Sequence, residues 1–377
     1  MNFVRLKAII RKEIYHLLRD YQSLYLAFAI PLILIILFGY ALSLDVDKVE
    51  TVVVDYDKSA LSRDFVRKID ASPYFHLAGH LDRAADAVSF LDRDAAKVAI
   101  IIGPDFMKNL QADREAQLQI LIEGSDPNFA GIIRGYLTVF TEQYNQKILF
   151  DFLNRQGMTT IKPPVDGRIR IWFNEDLESR NFIIPGIIAI IIMIVGALLT
   201  SLIIAREYEN GTMETLKSLP VKAGELLLGK AIPYFFIGLT DVLIAMLLGQ
   251  LLFGVVMKGN FLLMMLATAL YLFVALALGL LISTATKSQL VANQMAVIIT
   301  YLPSVLLSNF VFPIVNMPKV LQMITYIVPA RYYIDILGGV YLRDTGIAYL
   351  WPSMAVLAFL AVLLTFFNYL LLKKEGL

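Results

Sequence analysis

The chain has 377 residues, 58% hydrophobic and 17% charged, against roughly 45–50% and about 25% in ordinary soluble proteins. Polar surface is too scarce here to cover a soluble fold, and the absence of Cys excludes disulfide scaffolds, thiol catalysis and Cys-ligated zinc. Residues 45–180 hold 22 acidic and 17 basic side chains and the rest of the chain 10 and 16, which describes a polar domain set into a membrane protein, with no basic block suited to nucleic acid.

Residues 1–20 are predicted to form an amphipathic helix. Phe3, Leu6, Ile10, Ile14 and Leu17 recur at three- and four-residue spacing, while Arg5, Lys12 and Arg19 stand seven apart on another face. That pattern suits a helix lying in the cytoplasmic headgroup plane. The uncharged run 21–44 follows and is long enough for a first span at about 20 apolar residues. It exceeds the apolar core of a signal peptide and no A-x-A-like site follows it, so it is expected to stay attached.

Residues 45–180 are predicted as an extracytoplasmic α/β domain. Segments 49–54, 98–102 and 118–122 have the composition of strands. Segments 59–70 and 83–93 have helical spacing, and a longer helix is expected over 128–155 with Asp126 and Pro127 as its start signals. Pro163 and Pro164 mark a turn, and 168–173 alternates like a strand returning to the membrane. Strands alternating with helices suggest a mixed sheet. His76 and His80 have the i, i+4 spacing of a helical metal pair, but 74–81 reads as a strand and no third ligand is evident. Asp55, Asp57, Asp92 and Asp94 read as solvated loop charges. Neither a catalytic nor a metal-binding constellation is predicted.

Five further spans follow, at 181–205, 231–257, 259–286, 288–315 and 349–372, making six. Between them lie an inner loop at 206–230 and an outer region at 316–348, and a short inner tail, 373–377, closes the chain. Only the third span carries a charge, Asp241. An Asp at mid-bilayer costs about 2.5–3.5 kcal/mol, while the span's fifteen Leu, Ile, Phe and Val residues return about 5–8 kcal/mol. The span therefore survives, and Asp241 either lines a pathway or packs against a polar neighbour. Gln250, Asn293, Gln294 and Asn368 are expected to form interhelical hydrogen bonds. Arg331 and Asp335 stand i, i+4 and are expected to neutralise each other.

With the N-terminus inside, inner segments hold twelve Lys and Arg and the short outer loops four: Lys258, Lys319, Arg331 and Arg343. Both termini are therefore predicted to be cytoplasmic. Gly224–Ala231 nearly matches a phosphate-binding loop, but Ala231 stands where Ser or Thr must hold Mg²⁺. Three consecutive Leu lead instead into a span, with Lys230 expected at the headgroups. The chain is not expected to bind or hydrolyse nucleotide by itself.

Arg206, Glu207, Gly211, Thr212, Glu214, Leu216 and Pro220 follow the pattern R-E-x-x-x-G-T-x-E-x-L-x-x-x-P. This loop resembles that of ABC-2 type transporter permeases, the membrane halves of ATP-driven exporters. The segments 307–318 and 326–332, with Pro313, Pro318, Pro329, Arg331 and Tyr332, resemble the same family's outer re-entrant region, although Asn309 stands where Gly is expected. The order of elements, end to end, is similar to the drug/multidrug-efflux branch of YbhS-, YbhR- and YhhJ-like permeases.

The resemblance implies an α-helical polytopic fold of the ABC-2 (type V exporter-like) kind with an inserted extracytoplasmic α/β domain. It implies that 206–230 carries a coupling helix that docks on a partner ATPase. Gly211 and Thr212 would start that helix, Thr212 would cap it, and Pro220 would end it. Glu207 and Glu214 would offer carboxylates to the partner, with Arg206 at the headgroup edge. Pro313, Pro318, Pro329, Arg331, Tyr332 and Asp335 would close the outer gate. The implied partners are two ATPase copies carrying ATP and Mg²⁺, a second permease chain (identical or a sister), membrane lipid and a periplasmic adaptor. The implied role is outward movement of amphipathic or lipophilic drug-like molecules across the bacterial inner membrane. Two other classes fit the composition. One is a proton-coupled secondary transporter using Asp241, though further buried charges are lacking. The other is a membrane-anchored sensor or scaffold, though no inner segment is long enough for a signalling module.

Overall fold

Asn2 opens helix α1 (Phe3–Arg19) by accepting the Val4 amide on its side-chain oxygen at 3.0 Å. Asp20 separates it from α2 (Tyr21–Ala41), an apolar helix with Pro31 inside. This computed structural model describes residues 2–41, 48–112, 114–125, 127–155, 173–174 and 178–376. The chain divides into two units, one of Met1–Ser43 with Ile171–Leu377, the other of Leu44–Arg170.

The second unit alternates strands and helices: β1 (Val49–Asp55), α3 (Ala60–Asp70), β2 (Phe75–Leu81), α4 (Ala84–Asp92), β3 (Val98–Ile102), α5 (Phe106–Gln111), β4 (Leu118–Ile122) and α6 (Pro127–Arg155). The strand order is β2-β1-β3-β4, with β1 parallel to β2 and β3, and β4 antiparallel to β3. Every residue of β3 is buried, as expected of a central strand covered on both faces. On one face Val53, Ile100 and Ile102 pack with Phe65 of α3, Phe106 of α5 and Ile133, Leu137 and Tyr144 of α6. On the other, Val52, Val54 and Ala99 meet Ala87 of α4. A Ser59–Ser62 capping box, with both bonds at 3.0 Å, fixes the start of α3.

His76 and His80 fall on β2 and are exposed. Four residues of strand separate them by about 13 Å, too far to share an ion. The Pro163–Pro164 turn, the start signal Asp126 and the return strand at 168–172 lie outside the described residues.

The first unit continues with α7 (Arg180–Glu209), α8 (Thr212–Ser218), α9 (Ala223–Phe253), α10 (Phe261–Thr286) and α11 (Gln289–Leu306). A 3-10 turn (Ile314–Asn316) leads to α12 (Lys319–Thr325), α13 (Pro329–Leu342) and α14 (Ile347–Lys374). Five helices, α7, α9, α10, α11 and α14, are each long and apolar enough to cross a membrane, whereas the apolar stretch Ala27–Tyr40 within α2 is shorter. α7 is buried nearly throughout and packs against α2, α9, α10, α11 and α13. Its closest neighbour is α10, where a Cβ on Gly279 would lie 2.3 Å from the Ala197 carbonyl oxygen. Small residues permit such close helix packing in apolar surroundings.

α11 ends at Leu306, short of the predicted limit at 315. Asn309 follows in the left-handed conformation (φ 71°), and its side-chain oxygen accepts the Ile314 amide at 3.0 Å. Asn tolerates that conformation better than other non-Gly residues, which accounts for Asn at a position where Gly was expected. Pro313 and Pro318 immediately precede the 3-10 turn and α12, and Pro329 is the first residue of α13, positions where a missing N–H costs nothing.

The face that α1 buries differs from the predicted one. Leu6, Ile9, Glu13 and Leu17 are buried, whereas Phe3 and Ile14 are exposed. The helix packs on α9, where a Cβ on Gly229 would meet the Ile9 side chain at 2.6 Å. Glu13 belongs to this seat because its charge is matched by residues far away in sequence.

Candidate functional site

α7 runs beyond its apolar turns into Arg206, Glu207, Tyr208 and Glu209, and Gly211 then reverses the chain with φ 69°. That positive φ is sterically cheap for Gly alone. Gly211, rather than Thr212, is the N-cap of α8. The Thr212 hydroxyl donates to the Glu207 carboxylate and also to the Glu207 carbonyl oxygen at 3.3 Å. The predicted capping role of Thr212 is thus replaced by a tie back to α7.

Glu207 is the centre of a buried charge cluster. Its Oε1 accepts Lys230 Nζ at 2.8 Å and Lys12 Nζ at 2.7 Å. Lys230 Nζ also lies 3.3 Å from the Glu13 carboxylate, whose other oxygen accepts the Tyr234 hydroxyl at 3.3 Å. The Lys230 side chain is only 2% exposed. Two carboxylates and two ammonium groups from α1, α7 and α9 therefore neutralise each other at the root of α8. Removing water from such groups is expensive, so the buried Glu13, Glu207 and Lys230 depend on one another for compensation.

Lys230 is buried in this cluster and paired with two carboxylates. One sequence expectation is corrected here. Glu207 is engaged within the chain and offers no free carboxylate to a partner. The near-match to a phosphate loop is helix from Ala223 onward and not a glycine-rich loop, and the Glu225 and Leu226 amides of its first turn donate to the Lys222 carbonyl at 2.9 and 3.1 Å.

A second layer surrounds the cluster. Arg206 Nη1 donates to Asp20 at 2.9 Å and its Nε to Gln289 at 3.3 Å. The Glu209 carboxylate accepts the backbone and side-chain N–H groups of Gln289 at 2.8 and 2.6 Å. Glu375, just past α14, accepts Lys287 at 2.5 Å and Tyr208 Oη at 3.1 Å, with Lys217 of α8 at 3.7 Å. Met213 is buried and Leu216 packs on the helical core, which anchors α8 from below. Its outer face presents Glu214, Thr215 and Ser218, and Leu219 and Pro220 continue that exposed surface. Among the described residues nothing pairs with Glu214. The Pro220 carbonyl accepts a hydrogen bond from Arg5 of α1.

The remaining predicted site residues fall elsewhere in the helical unit. Asp241 is buried on α9, 4% exposed, and no described group hydrogen-bonds or ion-pairs with it. Among the four polar residues expected to bridge helices, Asn368 does so, donating to the Ala277 carbonyl at 2.8 Å. Gln250, Asn293 and Gln294 are exposed, and no described partner receives their side chains. Arg331 and Asp335 do not pair. Arg331 stacks 4.0 Å from the Tyr326 ring and donates to Thr325, while Asp335 accepts the Ser353 hydroxyl at 2.7 Å. The aromatic face and the two hydroxyls outcompete the i, i+4 partner. Tyr332 Oη donates to the Tyr326 carbonyl at 2.8 Å. Among the described residues no group of three metal-ligating acids or histidines converges.

A bundle of long apolar helices, with a short solvent-facing helix rooted in buried charge, defines a polytopic membrane protein. The profile of the ABC-2 family transporter proteins matches residues 22–370, and the chain belongs to that family. It is 36% identical over 343 residues to the probable multidrug ABC transporter permease YbhS of Escherichia coli K12, covering 91% of this chain and 89% of that one. It is 29% identical to the probable multidrug ABC transporter permease YbhR of the same strain, covering 93% and 94%. Against the inner membrane transport permease YhhJ the identity is 27%, covering 85% and 83%.

Proposed function

We propose that the chain is the membrane-spanning permease subunit of an ATP-driven ABC-2 exporter in the bacterial inner membrane, moving amphipathic or lipophilic drug-like molecules outward. Six spans cross the bilayer, α2 being the first, and both termini and residues 206–230 are cytoplasmic. Residues 45–180 are extracytoplasmic and cap the exit or dock a periplasmic adaptor. A separate ATPase subunit, present in two copies, binds ATP and Mg²⁺. Two permease chains enclose the pathway, and this chain is not itself an enzyme. The family match and the names of the relatives support the class.

One observation carries the mechanism: α8 exposes Glu214 and Thr215, and Pro220 just beyond it is exposed too, while its root is clamped to α1, α7 and α9 through Glu207, Lys230 and Glu13. A short helix so held cannot tilt alone. Displacement of α8 by the ATPase passes to α7 and α9 as a rigid-body movement. Gly211 and Thr212 set the turn, Leu216 seats it, and Pro220 ends it. Arg206 holds the end of α7 to α1 through Asp20. Pro313, Pro318 and Pro329 fix the helix starts of the outer gate, braced by Arg331, Tyr332 and Asp335. The test is co-purification with a co-expressed ABC ATPase subunit. Glu214→Lys is expected to lower ATPase capture at least tenfold, since like charges at a rim oppose association. Full capture and full ATP-dependent efflux by that variant would refute the coupling assignment.

The unpartnered carboxylate of Asp241 supports a second reading, proton-coupled transport without an ATPase. Efflux that persists without ATP and collapses with the proton gradient would favour it. On the leading reading Asp241 lines the pathway, and Asp241→Asn selectively weakens export of cationic compounds.

A further inference from the structure

Gln289 is the first residue of α11, and the end of α7 engages its backbone N–H and both ends of its side chain. Its backbone and side-chain N–H groups donate to the Glu209 carboxylate at 2.8 and 2.6 Å, and its side-chain oxygen accepts Arg206 Nε at 3.3 Å. Ser288, just before the helix, makes no side-chain cap bond. The carboxylate that caps α11 therefore comes from α7, where it also meets the positive end of the helix dipole. Along its length α11 buries Ala292, Ala296, Thr300 and Ser304, four residues apart, and the two alanines pack with Ala205 of α7 and Ile282 of α10. Small side chains let helices approach closely but interlock little against sliding. Just past the outer end, the Phe310 ring rests 5.7 Å from that of Phe182 of α7. The inner end of α11 is thus steered by the polar clamp on Gln289.

We propose that Gln289 is the positioning residue through which displacement of the coupling turn reaches α11 and, along it, the outer gate. Arg206 and Glu209 flank Glu207, whose carboxylate holds the root of α8. A movement of that root carries both residues, and they carry the first turn of α11 with them. The opposite face of α11 is apolar and exposed at Val291, Ile298 and Leu302. Its outer end leads at Leu306 into the connection that holds Asn309 and Pro313. Without the clamp, the coupling turn moves and α11 stays behind. This role rests on the exporter reading and extends it to a helix that the buried charge cluster does not touch.

The experiment is amide hydrogen exchange on the full-length chain in complex with a co-expressed ABC ATPase subunit, without nucleotide and with a non-hydrolysable ATP analogue. Exchange reports opening segment by segment. In the wild type, nucleotide is expected to change exchange in residues 206–218 and 289–306 together. Gln289→Ala is expected to keep ATPase capture and the change in 206–218, and to lose the change in 289–306. Gln289→Glu sets two carboxylates face to face and should lose it too. Combining Glu209→Gln with Gln289→Glu exchanges the partners' roles and should restore it, a rescue that a mere packing role for Gln289 would not show. A wild-type response confined to 206–218 would overturn the clamp, as would a full response of 289–306 in Gln289→Ala or loss of ATPase capture by that variant. A double variant no better than Gln289→Glu alone would overturn it as well. A wild type that captures no ATPase, or whose residues 206–218 ignore nucleotide, would sink the exporter reading itself and the clamp with it.

Discussion

The α7–α9 junction and the α11–α14 connection are both short helical bridges between long apolar helices, yet their charges are held in opposite ways. At the first, Glu13, Glu207 and Lys230 are buried and bonded to each other across three helices. At the second, Arg331 lies on an aromatic ring and Asp335 is exposed on a hydroxyl. A buried cluster of mutually dependent charges makes its helices move together or not at all. Separate, partly exposed contacts leave each residue independent. The junction is suited to carry force, and the connection to hold shape.

Breaking the junction should have the largest effect. Lys230→Met leaves the buried Glu13 without its cation, while Glu207 keeps Lys12, and is expected to cost about 3–5 kcal/mol, measured by reversible unfolding in mixed micelles. Replacing all three charges (Glu13→Leu, Glu207→Leu, Lys230→Met) should recover at least about 2 kcal/mol of that loss. A triple variant less stable than the single one would show that the charges are not mutually compensating.

The connection should yield less. Arg331→Ala removes a ring contact and a hydrogen bond and is expected to cost about 1–2 kcal/mol. In a cycle with Asp335→Ala the coupling should stay below about 0.5 kcal/mol, and a larger value would restore the pair that sequence spacing suggested. Smallest of all is the tail. The Lys287 ammonium bonded to Glu375 holds that carboxyl below the usual glutamate range against a modest opposing burial, with help from Tyr208 and Lys217. A depressed folded pKa stabilises the tail above the ordinary Glu value of about 4.3, and the benefit fades as pH falls through the lowered one. An NMR titration of Glu375 should show a low midpoint that Lys287→Gln moves up toward about 4.3.

Elements whose pattern is local were legible in the sequence. The runs at 49–54, 98–102 and 118–122 coincide with β1, β3 and β4: the covered β3 is apolar without interruption, and β1 and β4 break the run at their exposed Glu50 and Gln119. The turn at Gly211 and the stop before Pro220 were legible because positive φ and missing N–H groups select those residues. What the sequence hid was long-range charge compensation. Lys230 sits 23 residues from Glu207 and 217 from Glu13, so a one-dimensional reading misses their pairing and leaves Glu13 off the seat of α1. A signal was present: Glu13 falls between Leu6, Ile9 and Leu17 on one helical face, and a buried acid requires a buried partner. Arg331 and Asp335 failed for the reverse reason, since spacing permits a pair without excluding better partners.

Because the natural chain has no Cys, single cysteines report sidedness cleanly. Thr215→Cys on the outer face of α8 and Lys108→Cys in the α/β unit can each be treated with a membrane-impermeant maleimide in intact cells and in inverted vesicles. Thr215→Cys should react only in inverted vesicles and be protected when the ATPase is bound, while Lys108→Cys reacts only in intact cells. Reaction of both from the same side, or no protection of Thr215→Cys by the ATPase, would contradict α8 as the point where force enters.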